Sequence, residues 1–332
     1  MKKYMPVAVA GGLSLALGLT ACGGSSGGGD GIQLRMALAD NEQSNYYQGA
    51  LAIAEEVAER TDGRIEITVV AGGSLGDERA TVEMAMNGDL DIATGANSVF
   101  TNWIPEMSIL DQAYLWENAD QAHAAVDGEV GDLIEEAALE QNLHVVGYME
   151  SGFRNVFSTR PIESIDDFAG LKIRTMQNEY QLAAFEGFGA VPVGLPSGEQ
   201  FTALQQGTID AVENATSNAL ANSYYEVAPH ITNTEHTFVY IVMALSDDAW
   251  NKIPEELREP FLEGMQAGYE QQREFLVQAN DEAEAELQDE GVEFYDIDQE
   301  EMRAAWEDTV DGHGWSFDPE WQDAVDTARE QG

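Results

Sequence analysis

Residues 152–218 read GFRNVFSTRPIESIDDFAGLKIRTMQNEYQLAAFEGFGAVPVGLPSGEQFTALQQGTIDAVENATSN, and this stretch decides the architecture. Residues 172–175 and 191–193 read as short strands, and 209–213 as a third. Between them, 177–187 and 197–206 carry helical patterns, and 216–221 opens another helix. Strands and helices alternating at this length make βα units, which assemble into a mostly parallel sheet covered on both faces. Four basic residues fall in the stretch (Arg154, Arg160, Lys172 and Arg174) in a chain with 15 Lys+Arg against 61 Asp+Glu. Arg174 closes the strand Leu171-Lys172-Ile173-Arg174, Asn214 follows the strand ending at Glu213, and Arg154 follows a strand read at 144–148. Ligands of open α/β sheets bind beyond the carboxyl ends of strands. Positive charge kept at strand ends in so acidic a chain therefore points to an anionic ligand.

The same pattern extends towards the N-terminus. Residues 32–38 alternate, with Ile32, Leu34, Met36 and Leu38 on one face. The polar segment 40–45 supplies a helix N-cap, and the helix runs to Arg60 with Leu51, Ala54, Val57 and Ala58 as its buried stripe. Thr61-Asp62-Gly63 stops it. Residues 64–70 form a strand, 77–87 a helix and 90–94 a third strand. Two βα runs joined by crossing segments predict two α/β lobes with a cleft between them. Residues 254–290 contain no breaker after Pro260 and read as one long helix or two joined ones, with Phe261, Met265, Tyr269, Phe275 and Leu276 on the apolar side. Such a helix is long enough to brace both lobes. Trp306, Trp315 and Trp321 read as packing anchors. The expected partition is lobe I at 32–151 plus about 240–279, and lobe II at 152–239 plus about 280–332.

A formal net charge of -46 repels nucleic acid and anionic lipid, which excludes nucleic-acid binding. A halophile's surface explains it better than an acidic secreted protein of another origin. At the N-terminus, Lys2 and Lys3 precede an apolar run at 7–19, shorter than the about 20 residues of a transmembrane helix. Leu19-Thr20-Ala21-Cys22 follows and resembles a bacterial lipoprotein lipobox. Residues 1–21 are thus expected to be a signal peptide, Cys22 the lipidated residue, and the Gly/Ser-rich 22–31 a flexible tether. Cys22 is the one cysteine, so the mature domain holds no intramolecular disulfide. His123, His144, His230, His236 and His313 show no metal-ligand spacing, and no cofactor is expected. Gly72-Gly73-Ser74-Leu75-Gly76 is neither a P-loop nor a nucleophile elbow.

A guanidinium presents a planar fork that grips a carboxylate bidentately. Asn adds a donor and an acceptor. From the residues alone, each arginine reads either as a ligand contact or as a surface ion pair.

The chain is similar to the substrate-binding proteins of tripartite ATP-independent periplasmic (TRAP) transporters, the DctP family. The resemblance lies in Gly152-Phe153-Arg154, in 165–174, in Phe201-Thr202-Ala203-Leu204-Gln205-Gln206-Gly207 and in Asp210…Glu213-Asn214, with weaker matches at 72–77 and 88–91. It runs from about 34 to about 290. It implies a two-lobed periplasmic-binding-protein-like α/β fold, no enzymatic activity, and capture of an organic acid for delivery to TRAP membrane permease subunits. It also implies that Arg174 clamps the ligand carboxylate, Arg154 assists, Asn214 hydrogen-bonds the ligand and Glu213 supports the site. Ala96 stands where sialic-acid binders carry a glutamate, which argues against sialic acid. Arg174-Thr175-Met176-Gln177-Asn178 looks more like binders of uronates and aldonates. Gln177, Asn178, Asn97, Tyr240, Gln43 and Tyr46 complete the expected cleft wall. A C4-dicarboxylate is the alternative ligand. A glycoside hydrolase working with two carboxylates and an adhesive lipoprotein are remote alternatives. The expected form is a monomer anchored by lipid on the extracytoplasmic face, at a Gram-positive cell surface or in a periplasm.

Overall fold

The structure is a computed structural model that describes residues 31–332. The expected signal peptide, Cys22 and all of the tether but its last residue lie outside the described residues. Among the described residues, eleven strands form two sheets. Those of the first are β1 (Ile32–Ala37), β2 (Ile65–Val70), β3 (Ile92–Ala96) and β4 (Leu143–Phe153), with β10 below. Those of the second are β5 (Asn155–Ser158), β6 (Lys172–Thr175), β7 (Val191–Gly194), β8 (Ala211–Asn214) and β9 (His230–Asn233). The chain then returns to the first sheet as β10 (Phe238–Ser246) and closes the second as β11 (Glu293–Asp296). The orders are β2-β1-β3-β10-β4 and β11-β9-β5-β8-β6-β7. Strands linked by βα units pair parallel, as β1 does with β2 and β6 with β7. The crossing strands pair antiparallel: β10 with β3 and β4, and β5 with β8 and β9. The fold is thus a two-lobed α/β fold.

Two of the crossings lie side by side. Only Arg154 separates β4 from β5, and its N–H donates to the Thr237 carbonyl (3.0 Å) just before β10. The third crossing is the helix Glu255–Asp289, 35 residues long. It buries Phe261 and Met265 with the first lobe's apolar cluster and Leu287 with one of the second lobe's. Pro260 stands near the start of this helix and does not break it.

The long helix crosses the helix Asn45–Arg60 at backbone contact distance. A Cβ built on Gly268 would lie 2.4 Å from the Ile53 Cα, and one on Gly264 2.7 Å from the Val57 Cα. No flexible side chain can yield there. Gly268→Ala is expected to cost about 2 kcal/mol despite the better helix propensity of Ala. Gly312→Ala, where a Cβ meets nothing within 4 Å, should instead be neutral or stabilising by up to about 1 kcal/mol. Urea unfolding of the two variants checks the contrast.

Three expectations need correction. The first helix buries Tyr46, Ala50, Ile53 and Val57, while Leu51 is 41% exposed, so its stripe is rotated from the one read at Leu51 and Ala58. On the long helix Phe275 is 39% exposed, though Phe261, Met265 and Leu276 are buried. The C-terminal helix Pro319–Gln331, expected with the second lobe, seats Trp321, Ala324, Val325 and Ala328 in the first lobe's core. Trp306 is buried as an anchor, and Trp315 packs against Tyr180, ring centroids 4.2 Å apart and planes tilted by 34°.

Candidate functional site

A small, partly open cleft lies where the two sheets face each other. The second lobe contributes Arg174, Asn214, Ser197, Gln200 and Asn218, the first contributes Asp40, Tyr46, Glu78 and Ala96, and Arg154 stands at the crossing between them. Met176, Val239 and Ile241 form apolar wall. A small number of polar groups converging on a partly apolar pocket is the usual make-up of a small-molecule site.

Strand geometry explains the convergence. Arg174 lies near the carboxyl end of β6 and Asn214 ends β8, and these strands run parallel. Arg154 enters at the start of β5, paired antiparallel with β8, so Asn155 falls opposite Asn214. All three are nearly excluded from solvent, at 3%, 2% and 5% exposure.

Glu213, fully buried, joins the two arginines. The Arg154 Nε donates to its Oε2, and the Arg174 Nη1 donates to its Oε1 at 3.2 Å. The remaining Arg154 donors reach the Asn214 Oδ1 (3.0 Å), the Ser151 Oγ (3.2 Å) and the Glu213 carbonyl (2.6 Å). Four of the five Arg154 N–H groups are therefore engaged by protein. Arg174 donates through Nε to the Leu195 carbonyl (2.9 Å) and through Nη1 to Glu213, while its Nη2 has no acceptor among the described residues. That leaves an unfilled guanidinium edge in a buried cavity. Burial alone would push the Glu213 carboxyl up, but Arg154, the neighbouring His236 and Arg174 together hold it down at about 2. The His236 Nε2 stands 3.8 Å from the Glu213 Oε2 and has no other partner. Burial lowers the His236 pKa and keeps the ring neutral at pH 7. Burial also lowers the Arg174 pKa, Glu213 opposing and Arg154 reinforcing, yet a guanidinium stays charged at neutral pH.

The first lobe faces these cations with two carboxyls that sequence reading missed. Glu78 accepts from the Ala96 N–H through its Oε1 (3.0 Å). The acidic group lacking at Ala96 thus arrives from a neighbouring helix. Burial raises the Glu78 pKa, and Ala96, Arg174 and Arg154 oppose the rise. Asp40, just past β1, is pushed up to about 7, first by burial and then by Glu78. Gln200 also lines the cavity, and its Oε1 is buried without a protein partner.

The other expected wall residues divide. Tyr46 lines the cavity and donates to the Ser151 Oγ (2.8 Å). Asn97 lies in the core, its Nδ2 bonded to Asp111 (3.0 Å) and its Oδ1 accepting from the Tyr240 N–H (3.1 Å). Tyr240 points away and donates to the Ala122 carbonyl (2.9 Å). Asn178 caps the helix Glu179–Gly187 and bonds Asp111 (3.0 Å). Gln177 and Gln43 line separate surface grooves. These five are not brought to the cavity: core hydrogen bonds claim Asn97 and Tyr240, helix capping claims Asn178, and Gln177 and Gln43 face other grooves. Arg160 and Lys172 are exposed, as read.

Two lobes, a bridging helix and a buried guanidinium facing the cleft between them are the features of a two-lobed solute-binding protein. The profile of the bacterial extracellular solute-binding proteins, family 7 (DctP), matches residues 36–313, and the chain belongs to that family. A solute-binding protein of Verminephrobacter eiseniae is 30% identical over 82% of this chain and 83% of its own. Among solved structures, a TRAP periplasmic solute-binding protein of Polaromonas bound to D-erythronate is 27% identical, with a TM-score of 0.85 over 90% of this chain and 98% of its own. Another from Chromohalobacter salexigens, with bound D-glucuronate, is 25% identical, with a TM-score of 0.83 over 90% and 100%. The chain is a solute-binding protein, not an enzyme, and it is extracytoplasmic. Proteins of this kind bind small organic acids and work with a TRAP membrane permease. Among the described residues no helix is long and apolar enough to cross a membrane.

Proposed function

We propose that this chain captures a sugar acid, a uronate or an aldonate, by its carboxylate on Arg174 and passes it to the permease. The unfilled Arg174 edge carries the reading: a buried cation with a free donor lacks a partner, and a carboxylate supplies one. The Gln200 Oε1, Asp40 and Glu78 stand ready as acceptors for hydroxyls. The Asn214 Oδ1 already accepts from Arg154, the Ala215 N–H and the Asn218 amide, so its part in ligand contact falls to the Nδ2 donor. Bound sugar acids in the relatives from Polaromonas and Chromohalobacter support the class.

Lobe closure over the acid expels water and strengthens the ion pair as the local dielectric falls. A ligand closes the lobes only to the extent that it binds the closed form better. The acidic surface does not forbid an anion. At 1 M salt the Debye length is about 3 Å, so distant carboxylates are screened and the arginines in the cavity decide affinity.

The lobe partition read from sequence, with the C-terminal helix moved to the first lobe, is the arrangement within which closure acts. Lipidation at Cys22 would hold the protein at the outer membrane face as a monomer on a short tether, within reach of the permease.

A thermal-shift screen with D-glucuronate, D-galacturonate, D-erythronate, succinate and benzoate tests the class. The sugar acids should stabilise the protein by about 2.7 kcal/mol at a hundredfold excess over Kd. A shift with benzoate or succinate alone would refute the assignment.

A further inference from the structure

We propose that Asp40 is a specificity-determining residue that makes ligand capture proton-linked, so that the cavity takes a hydroxylated monocarboxylate together with a proton and rejects a dicarboxylate. The inference rests on the proposed seat of the carboxylate at Arg174.

The charge count inside the cavity carries it. Arg154 and Arg174 contribute two positive charges, and Glu213, bound to both, contributes one negative. Asp40 and Glu78 line the same cleft from the opposite lobe. With both ionised, the empty cavity already holds a net charge of -1, and a carboxylate ligand brings it to -2. Each proton taken up by a first-lobe carboxyl brings that sum one unit closer to zero. Among the described residues, the cavity has no third cation to offset them. An uncompensated charge in such a space is costly, and the group neutralises instead.

Every group facing Asp40 fits this account. Glu78 repels its charge, Arg154 and Arg174 attract it, and the Asn218 amide lies beside it. Tyr46 and Tyr224 are the remaining titratable neighbours, and burial raises both hydroxyls, so they stay neutral. Asp40 is already poised near neutrality, at about 7, before any ligand enters. A bound carboxylate is a further negative charge in the same space and moves Asp40 higher still. The sign follows: the complex binds more protons than the free protein, so affinity falls as pH rises above 7. Protonated Asp40 becomes a donor, suited to a ligand hydroxyl or ring oxygen. A second ligand carboxylate at that position would meet Glu78 and Asp40 with no free guanidinium.

Calorimetry of the intact protein with D-glucuronate, run at pH 8 in two buffers of different ionisation enthalpy, reads the linkage without any mutation. The expected result is uptake of close to one proton per ligand, with affinity falling up to about tenfold per pH unit above pH 7.5. Asp40→Asn should remove most of the uptake and flatten the pH profile, and succinate should bind the wild-type protein at least about a hundredfold more weakly than D-glucuronate. Binding of D-glucuronate without proton uptake, an unchanged pH slope in Asp40→Asn, or equal affinity for succinate would each overturn the proposal while leaving the Arg174 seat intact. Failure of every sugar acid to bind would instead remove the reading on which it rests.

Discussion

Arg174→Lys is expected to lower affinity for D-glucuronate about 10–100-fold, although the charge is retained. The fork of a guanidinium makes two parallel charge-assisted bonds to a carboxylate, and an ammonium offers a single point of charge. A hydrogen bond to a charged group is worth about 1.5–3 kcal/mol, which is the size of loss assigned here. Arg174→Ala should lose more, about 2–5 kcal/mol of binding. Folding should suffer less than binding in both variants. Glu213 keeps its bond to Arg154, so no carboxylate is orphaned when Arg174 is shortened. Calorimetry paired with thermal melting separates the two effects: a loss of affinity with a melting temperature close to wild type supports a ligand role. Unchanged affinity in Arg174→Lys would remove it.

The largest effect on stability is expected at Glu213, which never needs to touch the ligand. Its carboxylate is fully buried and lies between two buried guanidiniums, with His236 behind it. Removing one partner of a buried ion network leaves uncompensated charge and costs about 3–5 kcal/mol. For a domain of this size, Glu213→Ala should lower the melting temperature by about 5–8 °C. Acid reports on the same group. Its carboxyl is held down at about 2 against an ordinary 4.5, so its contribution is fully present above pH 4.5 and is lost as pH falls through 2. In Glu213→Gln that acid-dependent portion of stability should be missing. A melting temperature of Glu213→Ala within about 1 °C of wild type would show that the arginines are not held by this residue.

The second lobe was legible because its strands are short, alternating and punctuated by Gly and Asp. Lys172–Thr175 emerges as it was read, and so does the order of βα units around it. β10 was not legible. Its sequence FVYIVMALS is apolar throughout, and every residue is buried because helices cover both faces of a central strand. Such a run has no period to read. β4 was read as five residues and runs for eleven, since Glu150, Ser151 and Gly152 look like a loop but continue the ladder opposite β10.

The arginines and Asn214 were found because basic residues are rare in this chain, so their placement carries information. Asp40 and Glu78 were missed for the opposite reason: among 61 acids, no single carboxylate stands out. Asp40 read as capping material for the first helix, a task that Ser44 performs. Asn97 and Tyr240 were both drawn to the wall by polarity, whereas folding pairs them with each other across β3 and β10. Polarity marks a residue as needing a partner. It does not say whether a ligand or the core provides one.

The most direct test of the central claim is a crystal structure of the protein grown with D-glucuronate or D-galacturonate. The account predicts the sugar acid in the cavity between the lobes, its carboxylate oxygens about 2.7–2.9 Å from the Arg174 guanidinium nitrogens and its hydroxyls towards Asp40, Glu78 and Gln200. A sugar acid seated elsewhere, or one whose carboxylate turns away from Arg174, would contradict it.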